Sequence, residues 1–312
     1  MSNEVVFGTM QWGGTSDEKT AAATYHACRE AGITWFDTAY LYTEGASEEI
    51  LGRLIAADPD TGPQVATKVG YTGGAGATNI RAQFDISRRR LGLDRVDCLY
   101  LHRFDPETPL EESITAMAVM QLAGEIGSIG LSNYAAWQVM KAVAIATRLG
   151  VQIGHIQPMY SLVKRQAEVE ILPMAADQGI AAHCYSPLGG GLLTGKYAAG
   201  GDGRLTENER YARRYGQAAM HEAATRLVEI SRAHDVHAAT LAVAWVAHQR
   251  LARPHGEDWA PVPIISGRDT VQLAPSLAAI RFEMDAELRQ QLSALVAAPP
   301  PATDRLEEQS TS

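Results

Sequence analysis

The sequence predicts an α/β fold, a (β/α)8 TIM barrel. Three observations carry this: short apolar, β-rich runs alternate with amphipathic stretches, the first four runs start roughly 31 residues apart, and polar residues gather at several run ends. Strands are expected at about Thr34 to Asp37, Val65 to Lys68, Val96 to Leu101, Ser128 to Leu131, Ile153 to Gln157, Ala181 to Tyr185, Pro263 to Ser266 and Ala279 to Phe282. Between them EKTAAATYHACREA, TNIRAQFDISRRRLG and LEESITAMAVMQLAG place apolar residues three and four apart, as helices do. The alternative, a doubly wound open sheet, is less favoured because no GxGxxG follows the first run. In a barrel the polar run ends DT, TK, LH, LSN, IQ and YSP all converge on one mouth.

Residues 1–290 are read as a single barrel domain. Glu4 to Met10 (EVVFGTM) precedes the first repeat and is expected to plug or cap the barrel. The gap from Ser186 to Pro263 is too long for one crossover, so residues 186–262 are read as a binding insertion at the mouth, with a Gly-rich loop, a charged loop and two helical runs. The Pro-rich and then polar tail, residues 298–312, is expected to be disordered.

With 46% hydrophobic and 20% charged residues the chain has apolar surface for a large core, which excludes disorder throughout. A net charge of -9 argues against nucleic acid or an anionic membrane as partner, although a small basic pocket for a phosphate remains compatible with it. Cys28, Cys98 and Cys184 are odd in number and lack a CxxC pair, which points to neither a disulfide framework nor a zinc site, and to a reducing cytoplasm. No long apolar run or signal-peptide pattern is present, so a soluble, unprocessed protein is expected.

The chemistry is sought at the strand ends. Asp37, Tyr42 just beyond it, Lys68 and His102 would meet at the C-terminal face of a barrel. A phenol is a poor proton donor at neutral pH, but a neighbouring ammonium favours the phenolate and lowers its pKa. Asp37 would keep Lys68 charged, and His102 would hydrogen-bond a substrate oxygen. Singly, each has a plain reading: a helix cap, rim packing, a rim charge, a satisfied core histidine. Together they fit protonation of a carbonyl oxygen while hydride arrives at its carbon.

These residues sit in FDTAYLYTEGASEEILG (36 to 52), ATK (66 to 68), DCLYLH (97 to 102), GSIGLSNY (127 to 134), QPMYSLVKR (157 to 165) and YSPLGGGLLTGKY (185 to 197). In this order, from about Val5 to Leu277, they resemble the aldo-keto reductase superfamily. The chain is most similar to the aflatoxin aldehyde and succinic semialdehyde reductase branch. The resemblance implies an NADPH-dependent reductase of aldehydes, with ketones also open, and a small-molecule carbonyl substrate. It implies Tyr42 as general acid, Lys68 and Asp37 as its tuning partners, and His102 as the group orienting the carbonyl. Ser132, Asn133 and Gln157 would hold the nicotinamide carboxamide, with Tyr185 stacked on the ring, and Met10 and Asp37 would also contact the cofactor. Ser186, Leu188, Gly190 and Lys196 match the pyrophosphate loop. Ser266, Gly267, Arg268, Gln272 and Ser276 match the adenosine 2′-phosphate end, Ser276 standing where an asparagine is usual. Arg213 matches a further phosphate-side arginine, for which Arg214 could substitute. Tyr40 and Thr43 depart from the family, which mostly has glycine after the tyrosine. The branch suggests a homodimer.

Two other readings stay open: a Schiff-base aldolase type with Lys68 as nucleophile, and an NADPH-sensing regulatory subunit with little turnover. Gly190 to Lys196 fits most of the phosphate-loop pattern GxxxxGK[ST], but Tyr197 stands where a hydroxyl should bind magnesium, and an NTPase is rejected. No metal site is expected.

Overall fold

A computed structural model describes residues 3–58, 62–198, 200–252 and 258–303. Eight parallel strands close into a barrel in sequence order. They are β1 (Val6–Gly8), β2 (Trp35–Asp37), β3 (Gln64–Val69), β4 (Val96–Leu101), β5 (Ile126–Ser132), β6 (Ile153–Gln157), β7 (Ala181–Cys184) and β8 (Val262–Ile265). Closure comes from β1, which pairs with β2 on one side and β8 on the other.

Two expectations are corrected here. Glu4 to Met10 is no plug: its apolar core Val6–Gly8 is the first barrel strand, buried at all three positions. Ala279 to Phe282 is no strand but the turn after the helix Thr270–Ala278. It stays outside the sheet, where Asn3 ties the entry to β1 onto it, its N–H bonding Ile280 O at 2.8 Å and its side chain Ala279 O at 2.8 Å.

Alternation along each strand sorts the side chains into two sets. Phe7, Phe36, Val65, Leu99, Ile129 and Ile156 face the helices and join the large outer core. Val6, Trp35, Ala66, Cys98, Tyr100 and Ile264 fill the barrel interior. Two histidines share that interior. His155 lies 4.9 Å from His183 between ring centroids, and Trp35 packs on both at 5.4 and 5.2 Å. Gly130 makes the room: a Cβ there would collide with the Tyr100 ring.

Between β7 and β8 the chain forms a short 3-10 turn (Gly189–Thr194) and helices Arg204–Glu207, Glu209–Tyr215, Ala218–Ala233 and Ala238–Ala247. The run expected as a charged loop, RLTENERYARRYG, is thus mostly helical. Ala238–Ala247 is buried at all 10 residues and packs on β8, so it works as a barrel helix rather than a mouth insertion. Of the tail, residues 298–303 are irregular chain and 304–312 lie outside the described residues. Among the described residues no helix is long and apolar enough to cross a membrane. All three cysteines are free and buried.

Burial holds the inner histidines neutral, with the pKa of His155 lowered to about 4 and that of His183 to about 3. Unfolded, both would titrate near 6.5, so below that pH the unfolded chain binds more protons and stability falls with falling pH. The loss is expected to reach roughly 1–2 kcal/mol per histidine by about pH 5. Urea unfolding at pH 7 and pH 5 checks this: His183→Phe should flatten the dependence, and an unchanged slope would refute it.

Candidate active site

The same period of two that fills the barrel interior also builds its mouth. Two residues beyond the inward Trp35, Ala66, Tyr100, Gly130, His155, His183 and Ile264 stand Asp37, Lys68, His102, Ser132, Gln157, Tyr185 and Ser266. These seven of the expected site residues therefore form the top layer of one stack.

Lys68 is its centre. The ammonium is ion-paired with Asp37 Oδ1, donates to Thr38 O at 2.7 Å and lies 3.3 Å from the Tyr42 hydroxyl. Gln157 Nε2 donates to the other Asp37 oxygen at 2.8 Å. Lys68 and Asp37 are only 1% and 3% exposed, so neither charge is tolerable without the other. Burial favours the neutral amine, but Asp37 and Tyr42 outweigh it and hold Lys68 above its ordinary value.

Tyr42 opens a short 3-10 turn between β2 and the helix Ala46–Ala56. The expected net lowering of its pKa is corrected. Burial raises the phenol, Lys68 pulls it down, Asp37 pushes it up, and the balance lies above the ordinary 10. The phenol therefore keeps its proton at neutral pH, and the Lys68 charge acts on the phenolate only as it forms. His102 meets the Tyr42 ring edge-on at 5.9 Å between centroids. Burial, then the charges of Lys68 and Arg103, lower its pKa to about 3. His102 is thus a neutral hydrogen-bonding group, and its Nδ1 is buried with no partner among the described residues.

Asn133 bridges the next strands, donating to His102 O and Ser132 Oγ, both at 3.0 Å, and accepting from the Tyr185 hydroxyl at 2.7 Å. Ser132 Oγ donates to Gln157 O at 3.1 Å. These residues and Tyr185 form one wall of the cleft. Met10, at the end of β1, is 37% exposed.

Along the rim, Ser186, Gly190 and Gly191 take left-handed φ of 61°, 67° and 98°, turning the chain past Leu188 toward Lys196. Gly190 is required by packing as well, since a Cβ would stand 2.8 Å from the Tyr211 ring. After β8, Gly267 lets the chain close on the helix Thr270–Ala278: a Cβ there would lie 2.9 Å from Leu273 Cβ. Arg268 is exposed, its N–H bonding Gln272 Oε1 at 2.8 Å. Ser276 is fully buried and its hydroxyl has no partner among the described residues. Lys196 and Arg268 have no carboxylate partner among those residues, which suits both to an anion.

Arg213 does not join this group. It is 79% exposed and pairs with Glu209 at 2.6 Å, whereas its neighbour Arg214 lies over the Tyr211 ring at 5.5 Å and partly offsets the burial that pushes the Tyr185 phenol up to about 12. Two residues absent from the expected set stand beside these groups. Tyr211 stacks on Tyr215 at 6.4 Å beneath Arg214, and Tyr71 packs against His102 at 5.2 Å under Arg103. The cluster of tyrosines and arginines in RYARRY was the signal for Tyr211; Tyr71 had none. Trp12, by contrast, is a core residue bonded to Thr24 at 3.2 Å.

The family model described as the Aldo/keto reductase family matches residues 4–297. Aflatoxin B1 aldehyde reductase member 4 of Homo sapiens is 39% identical over 197 residues, 62% of this chain. That match spans 60% of the human protein. The aldo-keto reductase yakc [NADP(+)] of Schizosaccharomyces pombe is 32% identical, covering 82% of this chain and 78% of the relative. A probable voltage-gated potassium channel subunit beta of Oryza sativa subsp. japonica is 34% identical, with 76% of each chain covered.

Lys68→Met strands the buried Asp37 carboxylate and should cost about 3–5 kcal/mol in urea unfolding. Asp37→Asn added to it should recover at least about half, because the orphaned charge is gone. Equal stability of the single variant and wild type would show that the pair is not desolvated.

Proposed function

Because the chain belongs to the aldo/keto reductase family, we propose that it is an NADPH-dependent reductase of aldehydes, and of ketones where the cleft admits them. The observation that carries this reading is the contact of a protonated phenol with a buried ammonium: Tyr42 Oη lies 3.3 Å from Lys68 Nζ, next to a neutral His102. The cleft suits the cofactor on its own terms. Lys196 and Arg268 supply cations for its phosphates, the left-handed glycines let backbone approach the pyrophosphate, and Ser276 keeps an unused hydroxyl at the adenosine end. Ser132, Asn133 and Gln157 present amides and a hydroxyl to a carboxamide, and Tyr185 gives a ring face for the nicotinamide. Arg214 is better placed than Arg213 to serve the phosphate side. Bound there, the reduced nicotinamide supplies hydride to the carbonyl carbon.

The side chains do the rest. His102 donates a hydrogen bond to the carbonyl oxygen and fixes its direction. Tyr42 passes its proton to that oxygen as negative charge develops. The phenolate left behind is stabilised by the Lys68 ammonium, which Asp37 keeps protonated. A positioned acid of this kind contributes about 10² to 10⁴ in rate. The Schiff-base reading is disfavoured, since a nucleophilic lysine must be neutral and Lys68 is held charged. A regulatory subunit of slow turnover is the second reading, favoured by the rice relative. A homodimer in a reducing cytoplasm follows from the branch and the three unpaired thiols.

Tyr42→Phe should lower kcat about 10²-fold or more while leaving NADPH affinity within about twofold. Loss of NADPH absorbance with 4-nitrobenzaldehyde checks this, and wild-type turnover would remove the assignment. Less than one turnover per site in the wild type would favour the regulatory reading. Arg268→Ala should raise KM for NADPH about tenfold and leave that for NADH unchanged, the effect of one charge-assisted contact. Equal changes for both would dissociate Arg268 from the 2′-phosphate.

A further inference from the structure

The turn that carries Tyr42 holds three consecutive residues in the left-handed region: Thr43 at φ 45°, Glu44 at 57° and Gly45 at 103°. Only the last is glycine. A Cβ makes this conformation unfavourable, and a β-branched side chain is poorly suited to it, so Thr43 stays there only under restraint. The restraint is its own hydroxyl. Thr43 Oγ1 donates to Trp12 O at 2.7 Å and accepts from the Ser47 N–H at 3.0 Å.

Both bonds have a clear structural role. Ser47 lies in the first turn of the helix Ala46–Ala56, whose N-cap, Gly45, has no side chain to offer. Thr43 supplies the missing cap from two residues earlier. Trp12 follows the end of β1, so the other bond ties the turn to the neighbouring strand. Gly14 leaves space for the Thr43 methyl, since a Cβ there would stand 2.9 Å from Thr43 Cγ2. On the far side Ser47 Oγ meets the hydroxyls of Thr9 at 2.7 Å and Thr38 at 2.9 Å, which joins the ends of β1 and β2 to the same helix.

We propose that Thr43 is a positioning residue for Tyr42: its hydroxyl, bonded to the β1 loop and to the helix start, locks the left-handed turn that holds the phenol against Lys68. This rests on the reading of Tyr42 as the proton donor. Without the hydroxyl the turn relaxes, the phenol moves off the ammonium, and the phenolate that forms during reduction loses its partner.

Thr43→Val keeps the shape and deletes the hydroxyl; Thr43→Ser keeps the hydroxyl. Thr43→Ala deletes the hydroxyl, keeps the Cβ that makes the left-handed turn unfavourable and lacks the β-branch, and so serves where the valine variant folds poorly. In multiple-turnover reduction with NADPH, valine and alanine should each lower kcat about tenfold or more, with carbonyl KM and NADPH affinity within about twofold, and serine should restore it. The alkaline limb of the kcat profile should move to higher pH in the valine and alanine variants, because the charge that lowers the phenol has been moved away. A purely architectural role would reduce thermal stability and leave that limb in place. Wild-type kcat in Thr43→Ala, or an unmoved limb, overturns the proposal. Tyr42→Phe runs alongside: full turnover there would sink the proton-donor reading and this one with it, whereas an inactive Tyr42→Phe beside a wild-type Thr43→Ala would sink only the positioning role.

Discussion

The arrangement at the mouth hangs on one buried ion pair. Lys68 and Asp37 are almost wholly removed from water, and each is stable as an ion only because the other stands beside it. Their placement follows from the barrel: Asp37 ends β2, Lys68 lies near the end of β3, and the two strands are paired neighbours. Gln157 from β6 reaches across to the second carboxylate oxygen, and Thr38 O accepts a further hydrogen bond from the ammonium. Moving any one of these strand ends would leave a charge or an amide unsatisfied in a dry interior. The site's precision is therefore enforced by the cost of stranding polar groups, more than by the strength of attraction.

Much of this was legible in the sequence because barrels convert order into position. Seven strands were found from their apolar runs, and the polar residues at their ends proved to be the top of one inward-facing stack. What failed, failed for want of a local signal. Val6–Gly8 is only three residues long and no helix precedes it, so nothing marks it as the strand that closes the ring. Ala279 to Phe282 is as apolar as a strand, yet β1 already occupies the place beside β8. Strand identity at the seam is decided by closure, which composition does not encode.

The electrostatics were legible in sign and not in sum. A lysine near a tyrosine does pull the phenol's pKa down, as the sequence implied, but burial pushes harder in the other direction. Depth within the barrel decides the balance, and depth is not written in a motif. Arg213 and Arg214 show the same limit on a smaller scale. They are adjacent on the helix Glu209–Tyr215, where a step of one residue turns a side chain through about 100°, so one joins a surface pair and the other faces the tyrosines. The resemblance did mark Thr43 as standing where glycine is usual, and the left-handed backbone there is the physical reason.

Beneath Lys68 the barrel is stoppered. Tyr100, Trp35, His155 and His183 close the floor, and the Tyr100 ring lies 6.0 Å below the ammonium. Among the described residues these rings leave the site no route through the barrel floor. If Tyr42 is the proton donor proposed above, its proton would not be replenished from below, because neutral, desolvated imidazoles are poor carriers at physiological pH. On that reading bulk water would restore it through the same doorway that an alcohol product would leave by, making recharging of the acid and departure of the product successive uses of one exit.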